Sequence, residues 1–192
     1  LPNVERLRDV HMQVPLRVYT SDGQLISEYG SKRRIPIPLA QVPQSLIQAV
    51  LAVEDTRFYD HPGVDFISLV RAAKAVLTSG KKVQGASTIT MQVARNFFLS
   101  RKKTYARKIK EILLALKIDK AFSKDKILEL YLNKVYFGNR AYGVAVAAQV
   151  YYGKKLKELT LSQMAMLAGL PQAPSRNNPL RRPMAALKRR NH

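Results

Sequence analysis

Glu54-Asp55-Thr56-Arg57-Phe58-Tyr59-Asp60-His61-Pro62-Gly63 closes the first strongly periodic segment of this 192-residue chain. Leading into it, Ile47, Val50, Leu51 and Phe58 recur at helical spacing, which predicts a helix over 44–58. Glu54 falls on that apolar stripe, away from the solvent face. Partial burial disfavours the charged form of a carboxyl and raises its pKa toward the range of a general base at neutral pH. The competing reading is an ion pair with Arg57, three residues on. His61 and Gly63 are read as shaping the turn that fixes Glu54, since no second His or Cys stands near His61 at metal-ligand spacing.

A second run follows at Gly85-Ala86-Ser87-Thr88-Ile89-Thr90-Met91-Gln92. Ser87 is read as the N-cap of a helix over 87–98, with Ile89, Val93 and Phe97 on one stripe and Thr88, Gln92 and Arg95 on another. The polar stripe is the candidate substrate face. Gly85 and Ala86 precede a positive helix terminus where a pyrophosphate or sugar can dock; the plainer alternative is a well-capped amphipathic helix. Farther on, Arg107 and Lys108 stand one turn before Glu111, opposite an apolar stripe of Ile109, Ile112, Leu113 and Leu116. Arg107 and Glu111 read either as an exposed i,i+4 pair worth about 0.2–0.5 kcal/mol or as part of a phosphate-gripping cluster.

The remaining pattern is mainly helical. Helices are predicted over 66–78, 104–122, 124–133, 143–151 and 161–168, with Ser123 and Thr160 as N-caps and Gly80 and Gly169 as stops. Thr160 and Gln163 fit a capping box. Before them, Val14, Leu16, Val18 and Leu25, Ile26, Tyr29 flank Ser21-Asp22-Gly23, a hairpin signal. Pro36, Pro38 and Pro43 place a boundary near Leu39. Hydrophobic content of 46% suits one core. No cysteine is present, which excludes disulfides and Cys-based zinc or nucleophile chemistry. No apolar run of about 18 residues crosses a bilayer, and Leu1 is not an initiator, so the chain reads as an excised fragment. Net charge is +20, which draws polyanions or anionic membranes alike. Phe97, Phe98 and Leu99 followed by Arg101 to Lys103 give the apolar-then-basic order of a segment resting on a membrane surface.

Taken together, the first run resembles E-D-x-x-F-x-x-H-x-G and the second resembles G-A-S-T-I-T-x-Q, two motifs of the family 51 peptidoglycan glycosyltransferases. Arg107, Lys108 and Glu111 match the R-K-x-x-E motif of that family. Tyr131, Leu132, Asn133, Tyr136, Phe137, Gly138 and Gly143 match a fourth, and the stretch from Leu161 to Pro179 a last one. The resemblance implies a mainly α, lysozyme-like glycosyltransferase fold with a short N-terminal β-hairpin. It divides the chain into a hairpin and linker segment at 1–39 and the glycosyltransferase domain at 40–192. It also implies polymerisation of lipid II, by inverting transfer of a lipid-pyrophosphate-linked glycan to the GlcNAc 4-hydroxyl. Glu54 and Glu111 are the implied catalytic pair, with Glu54 the base. Asp55, Phe58, His61, Ser87, Thr88, Gln92, Arg95, Asn96, Arg107 and Lys108 are the implied substrate-binding residues.

By the same resemblance no cofactor is required and no metal site is assigned, with a divalent cation left open. The implied partners are lipid II, the growing glycan strand, the membrane surface through an apolar jaw around 66–82, and moenomycin-type inhibitors. The implied place is the extracytoplasmic, periplasmic face of a bacterial cytoplasmic membrane, anchored by a segment absent from this chain, as in bifunctional class A penicillin-binding proteins. Three positions depart from the usual pattern: Met91 where Gln is common, Arg95 where Lys is, and Gln163 where Glu is. Arg keeps the cation, Met91 is left out of the site, and the cap tolerates Gln. S-x-x-K occurs at Ser79, Ser100 and Ser123 without K-T-G, so no penicillin acylation is expected. Two other classes stay open. A lysozyme-like hydrolase would leave the cation cluster unexplained. A nucleic-acid-binding module would use the charge, but no helix-turn-helix, zinc or RNA-binding signature supports it.

Overall fold

Three threonine or serine caps set the helical framework. Thr104 accepts from Arg107 N at 3.2 Å, Ser123 from Lys126 N at 3.2 Å, and Thr160 from Gln163 N at 3.3 Å, with Gln163 returning the bond to complete the box. The chain is described by a computed structural model covering residues 1–10, 16–29, 34–79, 87–100, 102 and 104–191. Gly80, Gly85, Ala86, Arg101, Lys103 and Val14, all used in the sequence reading, lie outside these residues.

The elements are β1 (Leu16–Tyr19), β2 (Leu25–Tyr29), α1 (Gln44–Glu54), α2 (Phe66–Ser79), α3 (Ile89–Phe98), α4 (Tyr105–Ala121), α5 (Lys124–Lys134), β3 (Tyr136–Gly138), β4 (Ala141–Tyr142), α6 (Val144–Tyr152), α7 (Leu161–Ala168) and α8 (Pro183–Arg190). The mainly helical expectation therefore holds. β1 and β2 pair antiparallel with Leu16 opposite Tyr29, around a turn where Gly23 takes φ +83°. The β3–β4 hairpin and α8 were not anticipated. A two-residue turn of Asn139 and Arg140, both at positive φ, joins β3 to β4 without the usual Asn-Gly signal.

Two compact units make up the chain, Leu1–Asp9 with Gln48–Tyr131 and Val10–Ile47 with Leu132–His192. In the second, Asn133 clamps the Ile37 backbone, accepting from its N at 3.0 Å and donating to its carbonyl at 2.7 Å. Tyr151 donates to the Phe137 carbonyl at 2.8 Å, and burial pushes that phenol up to about 12. These bonds make the fourth motif scaffold.

In the first unit, Val64, Met91 and Ala115 form a buried cluster with Leu69, Ile112 and Leu116 against it. Met91, the departure from the family pattern, is thus a core residue. The sequence reading of α4 needs correction here. Ile109 and Leu113 are exposed, while Glu111, Leu114, Ala115 and Ile118 form the buried face. The helix carries apolar residues on two stripes, and periodicity does not rank them; the stripe with Glu111 turns inward because Arg107 and Lys108 neutralise its charge.

The turn after α1 approaches α4 closely. Gly63 has φ +80°, and a Cβ there would lie 2.6 Å from the Ala115 carbonyl oxygen. Gly153, also left-handed, has nothing within 4 Å. Gly63→Ala is therefore expected to lose about 1–3 kcal/mol from backbone strain alone and more from the clash, against about 1 kcal/mol for Gly153→Ala. Urea denaturation of the two variants measures the difference; equal losses would contradict the packing described.

Candidate functional site

α1 ends at Glu54 and does not continue to Phe58 as its periodicity predicted. The reason is tertiary. The Asp55 carboxylate accepts from Ile89 N, the first amide of α3, at 3.0 Å, and from His61 Nε2 at 2.9 and 3.0 Å. With Asp55 as the acceptor, Nε2 carries the proton. A residue whose side chain caps another helix leaves its own helical run here, and residues 56–60 form turns. Phe58 turns into the core, edge-on to His61, with Lys124 Nζ over its ring. Lys124 also donates to the His61 carbonyl at 2.6 Å and to Asp119 at 2.6 Å.

Thr88, and not Ser87, is the N-cap of α3. Its hydroxyl donates to the Gly63 carbonyl at 2.6 Å and accepts from Met91 N at 3.1 Å. This frees Ser87 for other partners: its Oγ donates to Glu111 Oε1 at 3.2 Å and accepts from Lys108 Nζ at 3.3 Å. The end of α1 and the start of α3 are thereby tied twice, once by Asp55 and once by Thr88.

The tie brings Glu54 to α3, where Gln92 Nε2 donates to Glu54 Oε2 at 2.7 Å. Arg95 donates to the Gln92 side-chain oxygen Oε1 at 3.5 Å, and Asn96 lies half-buried one turn beyond Gln92. The second carboxylate, Glu111, is 0% exposed. Arg107 bonds one of its oxygens, and Lys108 Nζ donates to the other at 2.7 Å. A carboxylate this deep is tolerated only when paired and hydrogen-bonded, and here it has two cations and a hydroxyl. The exposed i,i+4 reading of Arg107 and Glu111 is therefore set aside.

Glu54, Asp55, Ser87 and Thr88 line a cavity of about 170 Å³ together with Thr56, Asp65, Ser68 and Arg71. Ser87 is the hinge of the arrangement, because it faces this cavity and also bonds Glu111. Asp55 and Thr88 contribute to the wall while bound to backbone behind it. Phe58 and His61, which the resemblance implies bind substrate, are buried, with 1% and 8% exposure. Arg57 pairs with Asp65, which answers the question of its partner.

Asp65, Ser68 and Arg71 were missed in the sequence. A signal existed for the first two, since Asp65 stands immediately before α2 and accepts from Ser68 N at 3.0 Å as an N-cap. Among the described residues, no group of three or more His, Asp or Glu side chains converges as a metal site would require.

A transglycosylase family model matches residues 22–192. The chain belongs to the transglycosylase family. Over 191 residues, all of this chain, it is 58% identical to penicillin-binding protein 1A of Pseudomonas aeruginosa and 56% identical to that of Escherichia coli, of which it spans 23% and 22%. The crystal structure of penicillin-binding protein 1A from Haemophilus influenzae matches 95% of the chain and 18% of that structure, with a TM-score of 0.51 and 37% identity. The chain thus spans under a quarter of these relatives. As a transglycosylase-family member it is a peptidoglycan glycosyltransferase domain with the fold of that structure.

In this transglycosylase, burial pushes the Asp65 carboxyl up, but the bonds from Arg57 and Ser68 outweigh it and hold the group well below the usual carboxylate range. A lowered folded-state pKa stabilises the protein above the unfolded value of about 3.9, and the gain is lost as pH falls below that. Asp65→Asn is expected to lower Tm at neutral pH and to flatten the decline of Tm on acidification below about pH 4. Thermal melts across that range check both; parallel curves for the two proteins would contradict the assignment.

Proposed function

We propose that this domain polymerises lipid II, with Glu54 as the base that takes the proton from the acceptor GlcNAc 4-hydroxyl. That oxygen then attacks the anomeric carbon of the lipid-pyrophosphate-linked donor in line, with inversion, and the lipid pyrophosphate departs. The observation carrying this reading is the pair of differently held carboxylates joined through Ser87: Glu54 half-buried at a cavity, Glu111 sealed among cations. A pyrophosphate leaves as an anion and needs positive charge more than a proton. Arg107, Lys108, Arg95 and Arg71 supply that charge on the same unit.

Glu111 does not act as a second base in this scheme. Held by Arg107 and Lys108, it orients their cations toward the leaving group. Gln92 fixes the Glu54 carboxylate. Asp55, His61, Phe58 and Thr88 act from behind by fixing the two helices, and Ser87 and Asn96 face the substrate. The cavity, about 170 Å³, is smaller than the about 300–1,000 Å³ of usual ligand pockets, so it suits one polar portion of the substrate; moenomycin-type inhibitors are part of the proposal by the family resemblance alone. The linker at 1–39 and the domain at 40–192 belong to the same proposal.

Membrane association is part of it. Phe66, Ile67 and Val70 of α2 and Tyr105, Ile109 and Leu113 of α4 are exposed, with Lys102 and Lys110 nearby in sequence on a chain of net charge +20. Exposed apolar residues among basic ones suit an anionic lipid surface, consistent with a place at the extracytoplasmic face of the cytoplasmic membrane. No helix among the described residues is long and apolar enough to cross one.

Polymerisation of labelled lipid II in detergent tests the chemistry. Glu54→Gln is expected to reduce it by about 10²–10⁴-fold and Glu111→Gln to reduce it less. Shortening of preformed glycan in place of polymer formation would replace this reading with a hydrolase. Replacing Phe66, Ile67 and Val70 by Ser is expected to weaken sedimentation with anionic vesicles while leaving Tm within about 1–2 °C, because these side chains are already in solvent; unchanged vesicle binding would remove α2 from the membrane face.

A further inference from the structure

Residues 56–63 follow α1 as turns and bends, and their own backbone bonds are short-range: Phe58 N to the Asp55 carbonyl at 3.1 Å, Asp60 N to the Arg57 carbonyl at 2.9 Å and Gly63 N to the His61 carbonyl at 2.9 Å. Bonds of this kind fix the local path of the chain but not where it sits against its neighbours. Side chains do that. Asp55 reaches α3 through Ile89 N, and Thr88 holds the Gly63 carbonyl at the other end. Between these two ties the start of α5 adds its own contacts. Lys124 Nζ donates to the His61 carbonyl at 2.6 Å and to Asp119 of α4 at 2.6 Å, and lies 4.9 Å from the centre of the Phe58 ring. Beside it, Asp125 accepts from the Tyr59 hydroxyl at 3.1 Å.

We propose that Lys124 is a positioning residue for the transfer reaction: its ammonium clamps the 56–63 turn and, through His61 and Asp55, sets where Glu54 stands against α3. An ammonium is a compact charge with three donors and no acceptor. This one meets two residues of the turn, Phe58 over its ring and His61 at its carbonyl, and ties both to α4. The His61 carbonyl has two lone pairs, of which Gly63 N takes one and Lys124 the other. The bond from the charged donor is the stronger kind. With the His61 backbone held, its Nε2 meets both Asp55 oxygens, and Asp55 follows Glu54 directly in the chain. A misplacement of about 1 Å at a reacting group costs about 10²-fold in rate. The inference rests on Glu54 being the base.

Lys124→Met keeps an unbranched side chain and removes the ammonium, but it also leaves Asp119 without this cation. Lys124→Met combined with Asp119→Asn removes that unpaired charge while the His61 carbonyl stays unclamped. Lipid II polymerisation is measured for the wild type, both Lys124 variants and Glu54→Gln, together with Tm, at a temperature where each protein is folded.

Both Lys124 variants are expected to lose about 10–10²-fold in kcat with KM little changed, and the double variant to melt above the single one. A kcat that returns to the wild-type value in the double variant as Tm recovers would reduce Lys124 to a stabilising ion pair and overturns the proposal. So does a double variant that does not fold. A raised KM with unchanged kcat overturns it as well, because the turn would then bind substrate and not place the base. Activity in Glu54→Gln would instead remove the base reading itself, whereas an inactive Glu54→Gln beside wild-type kcat in the Lys124 variants strikes Lys124 alone.

Discussion

One carboxylate ties the site together. Asp55 leaves α1 immediately after Glu54, accepts the first amide of α3, and is itself held by the buried His61 ring. A helix N-terminus has amides that lack partners within the helix, and a negative charge there is favoured by the helix dipole. The bond therefore satisfies α3 and stops α1 in one step. Once α3 is fixed, Gln92 meets Glu54, Met91 enters the core, and Thr88 can reach Gly63. Gly63 must lack a side chain because the Ala115 carbonyl passes beneath it.

The two carboxylates of the motif pair illustrate how environment divides similar groups. Glu111 is wholly buried and surrounded by Arg107, Lys108 and Ser87, so its charge serves to order those partners. Glu54 remains half-buried at a cavity wall and is met by a neutral amide. Ser87 connects the two environments, which accounts for its release from the capping role that Thr88 fills.

Much of this was readable in the sequence. The order and spacing of Glu54 to Gly63, Ser87 to Gln92 and Arg107 to Glu111 indicated the family, and Thr104, Ser123 and Thr160 marked helix starts because a cap is a local interaction. What was not readable depended on contacts distant in sequence. The end of α1 is set by a bond 34 residues away, while its apolar spacing continues to Phe58. The inward face of α4 carries Glu111, whose bond to Ser87 comes from 24 residues away and leaves no trace in the apolar count. α8 begins at Pro183 and ends in basic residues, which reads as a charge run.

Amide hydrogen exchange on Asp55→Ala, followed at α3 alongside lipid II polymerisation, tests the central tie most directly. Loss of protection at Ile89, Met91 and Gln92, together with lost polymerisation and unchanged protection in α6 and α7, is the result predicted. Wild-type protection at those three amides with polymerisation intact would contradict the account, because α3 and Glu54 would then be held without Asp55.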